Sequence, residues 1–446
     1  MTALERVERA LERLGPDPWN AFLHVEAEGA RTRARRAPEG PLHGVVVSVK
    51  DNLAVRGMPM TCASRHLQGY VAPYTATVVE RLEAAGAIVL GKTNLDEFAC
   101  GSSGESSAFG PTLNPRDPSR VAGGSSSGAG ASVAAGVVDL AVGSDTGGSV
   151  RAPGSFCGVA ALKPSPGLVS RYGLSDLAMS LEAPAPMART VGGLTRLMQV
   201  MAGPDPRDSL TAAASPFVPH QGELSLQGLR IGVPEAFFEG VEEATARPVR
   251  AALARLEAKG ATLVGVELPS LRFALSAYYL LNYAEFASAM QRFDGTRYGY
   301  RGEGKGLEEA QAESRAVFGP EVKRRILLGT YVTSRDRREA WYGKALAAKQ
   351  AVASDFQRVF EQVDVLAGPT MPFRAFRLGE RVADPLAMYA SDVLTVSANL
   401  AGVPAGTVPL RVEGLPVGFQ VMGPRGSDAR LLALMGHVEA LSGVAP

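Results

Sequence analysis

Short apolar runs alternate with amphipathic stretches along almost the whole chain. Leu4, Val7, Leu11 and Leu14 recur at helical spacing, so residues 1–37 are predicted as one or two surface helices. Residues 38–41 make a turn, and 44–49, GVVVSV, read as a strand buried on both faces that ends at Lys50. A helix over 78–85, capped by Gly86, leads into a second buried strand at 87–90. Residues 162–189 read as loop, with prolines from Pro184 onward, and 204–227 have linker character. A β-α-β unit follows at 229–233, 247–259 and 262–266. Long helices fill much of 272–363. After an irregular stretch from 373, residues 393–400 and 406–412 form a helix or strand pair, 418–422 a strand and 430–442 a closing helix. Strands alternating with helices predict an α/β fold: a single large domain with a central mixed, mostly parallel β-sheet covered by helices on both faces. Within it, 1–40 is the N-terminal helical segment, 41–200 the core carrying the chemistry, and 201–446 the remainder with the substrate pocket.

Composition narrows the class. With 46% hydrophobic and 20% charged residues, the 446-residue chain can bury a large core. Its net charge of +1, with no basic block, gives no footprint for direct nucleic-acid binding. Three cysteines without a CxxC pair argue against a disulfide framework or a structural zinc and fit a reducing compartment. No apolar run is long enough to span a bilayer, and the charged N-terminus lacks a signal-peptide core, so a cytoplasmic protein without a membrane partner is expected.

The candidate chemistry sits at 121–162, where two Gly/Ser clusters, GGSSSG at 123–128 and GSDTGGS at 143–149, flank a small-residue helix and an apolar run. A plain linker would have no apolar segment in its middle. Ser149 follows Thr146, Gly147 and Gly148, whose consecutive N–H groups could surround an oxyanion; the bland alternative is a Gly-rich turn ending in an N-cap serine. A nucleophilic serine needs a base, and none of the five histidines lies in a Gly/Ser-rich loop. Lys50, at the end of a buried strand, could serve if desolvated enough to be neutral; otherwise it is a solvated strand-end lysine. Ser125 could relay a proton between them, or belong to a flexible turn. The GxSxG elbow and the P-loop lysine are both absent. No His/Asp/Glu grouping has metal-ligand spacing, so no metal is expected.

Together these stretches resemble the amidase signature family. The resemblance rests on GVVVSVKDN around Lys50, GKTNLDEF at 91–98, GSSGESSAFGPTLNP at 101–115, GSDTGGSVRAPGSFCG at 143–158 and LKPSPGLVSRYGL at 162–174. It implies a Ser–cisSer–Lys triad with Ser149 as nucleophile, Ser125 as bridge beside a cis peptide, and Lys50 as base. Backbone N–H groups of Thr146, Gly147, Gly148 and Ser149 would form the oxyanion hole. Residues 292–299, 318–330 and 384–404 are most similar to the glutamine-hydrolysing A subunits of glutamyl-tRNA(Gln)/aspartyl-tRNA(Asn) amidotransferases. That similarity implies glutamine as substrate, with Asp392 holding its amine, Lys349 at its carboxylate and Ser126 beside it. It implies B and C partner subunits. No cofactor is needed for amide hydrolysis; ATP and Mg would be used by a partner. Some positions differ from those subunits: GGSSSGAGA replaces GGSSGGSA, Glu182-Ala183 replaces Asp-Gln, and lysine replaces arginine at 349. These differences suit a stand-alone amidase of small amides, and a non-catalytic scaffold is a third reading.

Overall fold

The computed structural model describes residues 1–442. Thirteen strands are formed: β1 (Phe22–Val25), β2 (Val46–Lys50), β3 (Ile88–Thr93), β4 (Leu113–Asn114), β5 (Asp117–Val121), β6 (Leu140–Asp145), β7 (Ala160–Lys163), β8 (Ala183–Ala188), β9 (Arg230–Pro234), β10 (Thr262–Val266), β11 (Val365–Pro369), β12 (Ala405–Leu410) and β13 (Val417–Met422). β4 and β5 pair as a small hairpin. The other eleven form one sheet, in the order β1-β3-β2-β6-β8-β7-β12-β13-β11-β9-β10. The sheet is mixed, and its parallel pairings fall in two blocks. One is β3-β2-β6; the other is β11-β9-β10, which contains the β-α-β unit expected at 229–266. Antiparallel strands join the two blocks.

Strand periodicity shows that helices cover both faces. Val47, Val49 and Val89 enter one apolar core with helices Thr77–Ala84 and Val191–Met201. Their neighbours Val46, Ile88 and Leu90 enter another with helices Ala3–Leu14 and Ser127–Ala134. The pair 393–400 and 406–412 resolves into helix Val396–Ala401 and strand β12.

Three local readings change. The 1–37 segment contains strand β1 between its two helices, pairing antiparallel with β3; four residues are too few to show a period. The loop read at 162–189 contains β8, a strand inside the sheet despite Pro184 and Pro186. Both prolines have the same parity, so the N–H groups they lack lie on one side of the strand and one ladder is spared entirely. The 204–227 stretch is not a loose linker at its start. Asp205 accepts hydrogen bonds from Thr77 and Ser170, and Asp208 pairs with Arg171 at 2.6 Å.

Parallel pairing of β2, β3 and β6 brings their carboxyl ends to one edge, which is where open α/β sheets place ligands. Lys50 ends β2, Thr93 ends β3 and Asp145 ends β6.

Candidate active site

Lys50 is fully buried. Its Nζ donates to Ser125 Oγ at 2.8 Å and to Ser144 Oγ at 3.0 Å. Burial pushes its pKa down to about 7; Asp96, Asp145 and Glu182 oppose the shift without cancelling it. Ser125 is also fully buried, and the Gly124–Ser125 peptide is cis. Ser149 lies across from it, 8% exposed against 0% for Ser125 and Lys50, so it is the outermost of the three. Its hydroxyl makes no hydrogen bond to a described residue, while its carbonyl accepts the Ser126 N–H at 3.0 Å and ties the two loops together.

The 146–149 loop is held from three sides. The Thr395 hydroxyl donates to the Gly147 carbonyl at 2.5 Å. A Cβ at Gly147 would strike the Tyr278 ring, and Gly148, at φ +130°, packs against Thr395. These positions need glycine because helix Leu271–Ala289 and the 392–395 turn press on the backbone. Beneath lies a buried lattice. Arg151 pairs with Asp145 at 2.9 Å and reaches Asn399 at 2.6 Å and Gln420 at 2.8 Å. Burial alone would raise the Asp145 pKa, but Arg151 and Asn399 overcome it and hold it at about 2. Arg151→Met would leave that carboxylate buried and unpaired, and is expected to cost about 3–5 kcal/mol of stability. A lower urea midpoint is the check.

Two of the expected positions have internal partners. Gly148 donates its N–H to Asp145 Oδ1 at 2.9 Å. The N–H groups of Thr146, Gly147 and Ser149 have no acceptor among the described residues. Ser126 is fully buried and its hydroxyl donates to the Ser144 carbonyl at 3.1 Å, bracing β6.

Asp392 reaches the same edge from the opposite half of the chain. Its Oδ2 accepts the Ser102 hydroxyl at 2.8 Å and the Tyr279 hydroxyl at 2.7 Å, and the Ser102 carbonyl accepts the Gly124 N–H at 2.8 Å. Burial raises the Asp392 pKa to about 6 despite both donors. A cavity of 370 Å³ opens beside Ser102, lined also by Ser103, Arg325 and Tyr389. Lys349, on helix Lys344–Gln362, is half-buried, which lowers its pKa, and donates to Ser180 Oγ at 3.4 Å. Ser180 is itself held by Glu285, through its hydroxyl and its N–H.

Sequence reasoning missed several members of this cluster. Ser144, Asn52 and Asp145 lie inside the motifs that drew attention, and Asn52 Nδ2 donates to Ser144 Oγ at 3.0 Å. Asp96, gathering Gly104 and Ser106, sits in the GKTNLDEF run. Ser102 lies in the 101–115 motif without any mark of its own role, and Tyr279 lies outside every motif. The cysteines are buried and free, with the thiols of Cys62 and Cys157 pushed up to about 12 by burial, which makes them poor nucleophiles.

Fold and site define the class: an enzyme acting on amide C–N bonds, built on a mixed sheet with paired Gly/Ser loops at one edge. The chain belongs to the amidase family, whose profile, described as Amidase, matches residues 5–432. It is 52% identical over 398 residues to the A subunit of glutamyl-tRNA(Gln) amidotransferase from Methanospirillum hungatei, covering 88% of this chain and 92% of that one. It is 49% identical over 450 residues to the corresponding A subunit from Symbiobacterium thermophilum, covering 97% and 92%. Among solved structures, the A subunit from Thermotoga maritima superposes with a TM-score of 0.83 at 37% identity, covering 99% of this chain and 95% of that one.

Proposed function

We propose that this chain is a glutaminase that releases ammonia for tRNA-dependent transamidation, with Ser149, Ser125 and Lys50 as its triad. The observation that carries the reading is the contact of the buried Lys50 Nζ with Ser125 Oγ at 2.8 Å, in a loop joined to that of Ser149, the least buried of the three, through the Ser126 N–H and the Ser149 carbonyl. Neutral Lys50 takes a proton from Ser125, which takes one from Ser149; hydrogen bonds of this kind tighten when substrate binds. Ser149 Oγ attacks the amide carbonyl, and the N–H groups of Thr146, Gly147 and Ser149 hold the oxyanion. The relay then returns the proton to the leaving nitrogen, ammonia departs, and water releases the acyl group from Ser149. Similarity to the A subunits supports partner B and C subunits, which would use ATP and Mg to amidate Glu-tRNA(Gln) or Asp-tRNA(Asn). A cytoplasmic site fits that role; no described helix is long and apolar enough to cross a membrane.

In this reading Asp392 holds the substrate ammonium and Lys349 meets its carboxylate. Because the Asp392 pKa is raised to about 6, its charge is present above that pH and lost below it. Asp392→Asn should raise KM for glutamine about 10–100-fold with a smaller change in kcat, since the lost contact is one ion pair. The wild-type KM should rise as pH falls below 6. Steady-state kinetics across pH check both.

One observation favours a second reading, a stand-alone amidase of uncharged amides. Lys349 is a point charge where the resemblance implies a bidentate arginine fork, and Glu285 beside Ser180 partly offsets it. Ammonia release from glutamine against a panel of small amides separates the two, together with co-purification from the source cells. Preference for glutamine and recovery of B and C subunits support the first reading. Preference for uncharged amides by a protein without those partners supports the second.

A further inference from the structure

The 175–182 loop is fastened to the 146–149 loop by a side chain that the triad does not use. β8 begins at Ala183, opposite Asp145 in register, so Glu182 stands next to Thr146 at the site edge. Its Oε2 accepts the Thr146 hydroxyl at 3.3 Å and the Leu177 N–H at 3.0 Å. Its Oε1 is buried and has no partner, and the residue is only 5% exposed. A carboxylate with one desolvated, unpartnered oxygen is costly. A carboxylic acid with its proton on that oxygen is the cheaper form, because Oε2 is the atom accepting both donors.

Burial pushes the Glu182 pKa up to about 7, against the pull of the Leu177 and Ala178 N–H groups and the Thr146 hydroxyl. The charged groups around it are Lys50 at the end of β2, Glu285 on helix Leu271–Ala289, and Arg171 in the preceding loop. Lys50 is faced in turn by Asp96 and Asp145, and by the neutral thiol of Cys62. Asp96 is itself pushed up by burial, whereas Asp145 stays ionised. Among the carboxyls facing Lys50, two hold the oxyanion loop: Asp145, which stays ionised, at the Gly148 N–H, and Glu182 at the Thr146 hydroxyl.

We propose that Glu182 is a positioning residue of the hydrolytic site, acting through two neighbours: it clamps the oxyanion loop at Thr146, and its charge sets how readily Lys50 gives up its proton. The proposal rests on reading Lys50 as the base for Ser149. A negative Glu182 stabilises the Lys50 cation and holds back the base. The neutral acid releases it.

The test is the pH dependence of the rate at which a fluorophosphonate labels Ser149, with kcat/KM for glutamine followed in parallel. Glu182→Gln keeps an acceptor for Thr146 and removes the charge. Its acidic limb should move to lower pH by about 0.3 unit, with the gain largest near pH 7, where wild-type Glu182 is partly ionised, and small at pH 6, where it is mostly the neutral acid. Thr146→Val, which removes a donor favouring the ionised carboxyl, should move the limb in the same direction by less, with kcat lowered and KM little changed. It serves as the second variant if the glutamine protein is too unstable to purify. A merely structural contact would lower the melting temperature in both variants and leave the limb where it is. An unmoved limb, or one moved to higher pH, overturns the proposal. The control is Ser149→Ala. If that protein still hydrolyses glutamine, the triad reading itself has failed; if it neither labels nor hydrolyses and the limb is unmoved in the variants, only the role of Glu182 has failed.

Discussion

Ser149→Ala is expected to lower kcat for amide hydrolysis by at least about 10⁴-fold, leaving only what binding and the oxyanion donors supply. Folding should survive, because the Ser149 hydroxyl bonds to no described residue and is the most exposed of the three. An unchanged melting temperature with abolished turnover is therefore the pattern to look for. Ser125→Ala should behave differently. That hydroxyl is fully buried and partners Lys50, so its loss should reduce both stability and rate. The contrast assigns the nucleophile: the accessible serine matters for chemistry alone, the buried one for chemistry and structure.

Lys50→Ala carries the second large effect, a loss of about 10³–10⁴-fold in kcat/KM at neutral pH, as expected when the base of a nucleophilic serine is removed. The sign of the pH dependence follows from burial. Desolvation lowers the Lys50 pKa to about 7, so the neutral base predominates above that pH and is protonated below it. Wild-type kcat/KM should therefore stay flat above about 7, fall as Lys50 is protonated below it, and fall more steeply below about 6, where Asp392 also loses its charge. A plateau extending to pH 5 would remove lysine as the base. Ser144→Ala is the companion measurement. It takes away a second partner of Nζ without touching the relay, so it should shift the limb and leave most of the rate.

Much of this was legible because the chemistry lies in contiguous motifs at strand ends. A lysine closing a buried run, and two Gly/Ser clusters flanking another, already specify one edge of a parallel sheet. The less legible parts are those that need contacts far along the chain. Tyr279 and Ser102 meet at Asp392 from segments 113 and 290 residues away in sequence. Thr395 and Asn399 brace the Gly-rich loop from far along the chain, and no local pattern announces them. β8 was hidden by its prolines, and with it the reason Glu182 stands beside Thr146. Ser126 shows a contact no motif announced: the resemblance implied a place beside the substrate, and its hydroxyl is bonded to the backbone of β6. Gly148 shows the same at backbone level, its N–H turned inward to Asp145.

The central claim is that Ser149 carries the acyl group. Glutamine mixed with the enzyme and quenched in acid within one turnover, followed by peptide mass mapping, tests it most directly. The account predicts a γ-glutamyl adduct on the peptide bearing Ser149, absent from Ser149→Ala and accumulating when deacylation is slowed. An adduct on Ser125 or on a cysteine, or ammonia released in a full burst with no adduct on any peptide, would contradict it.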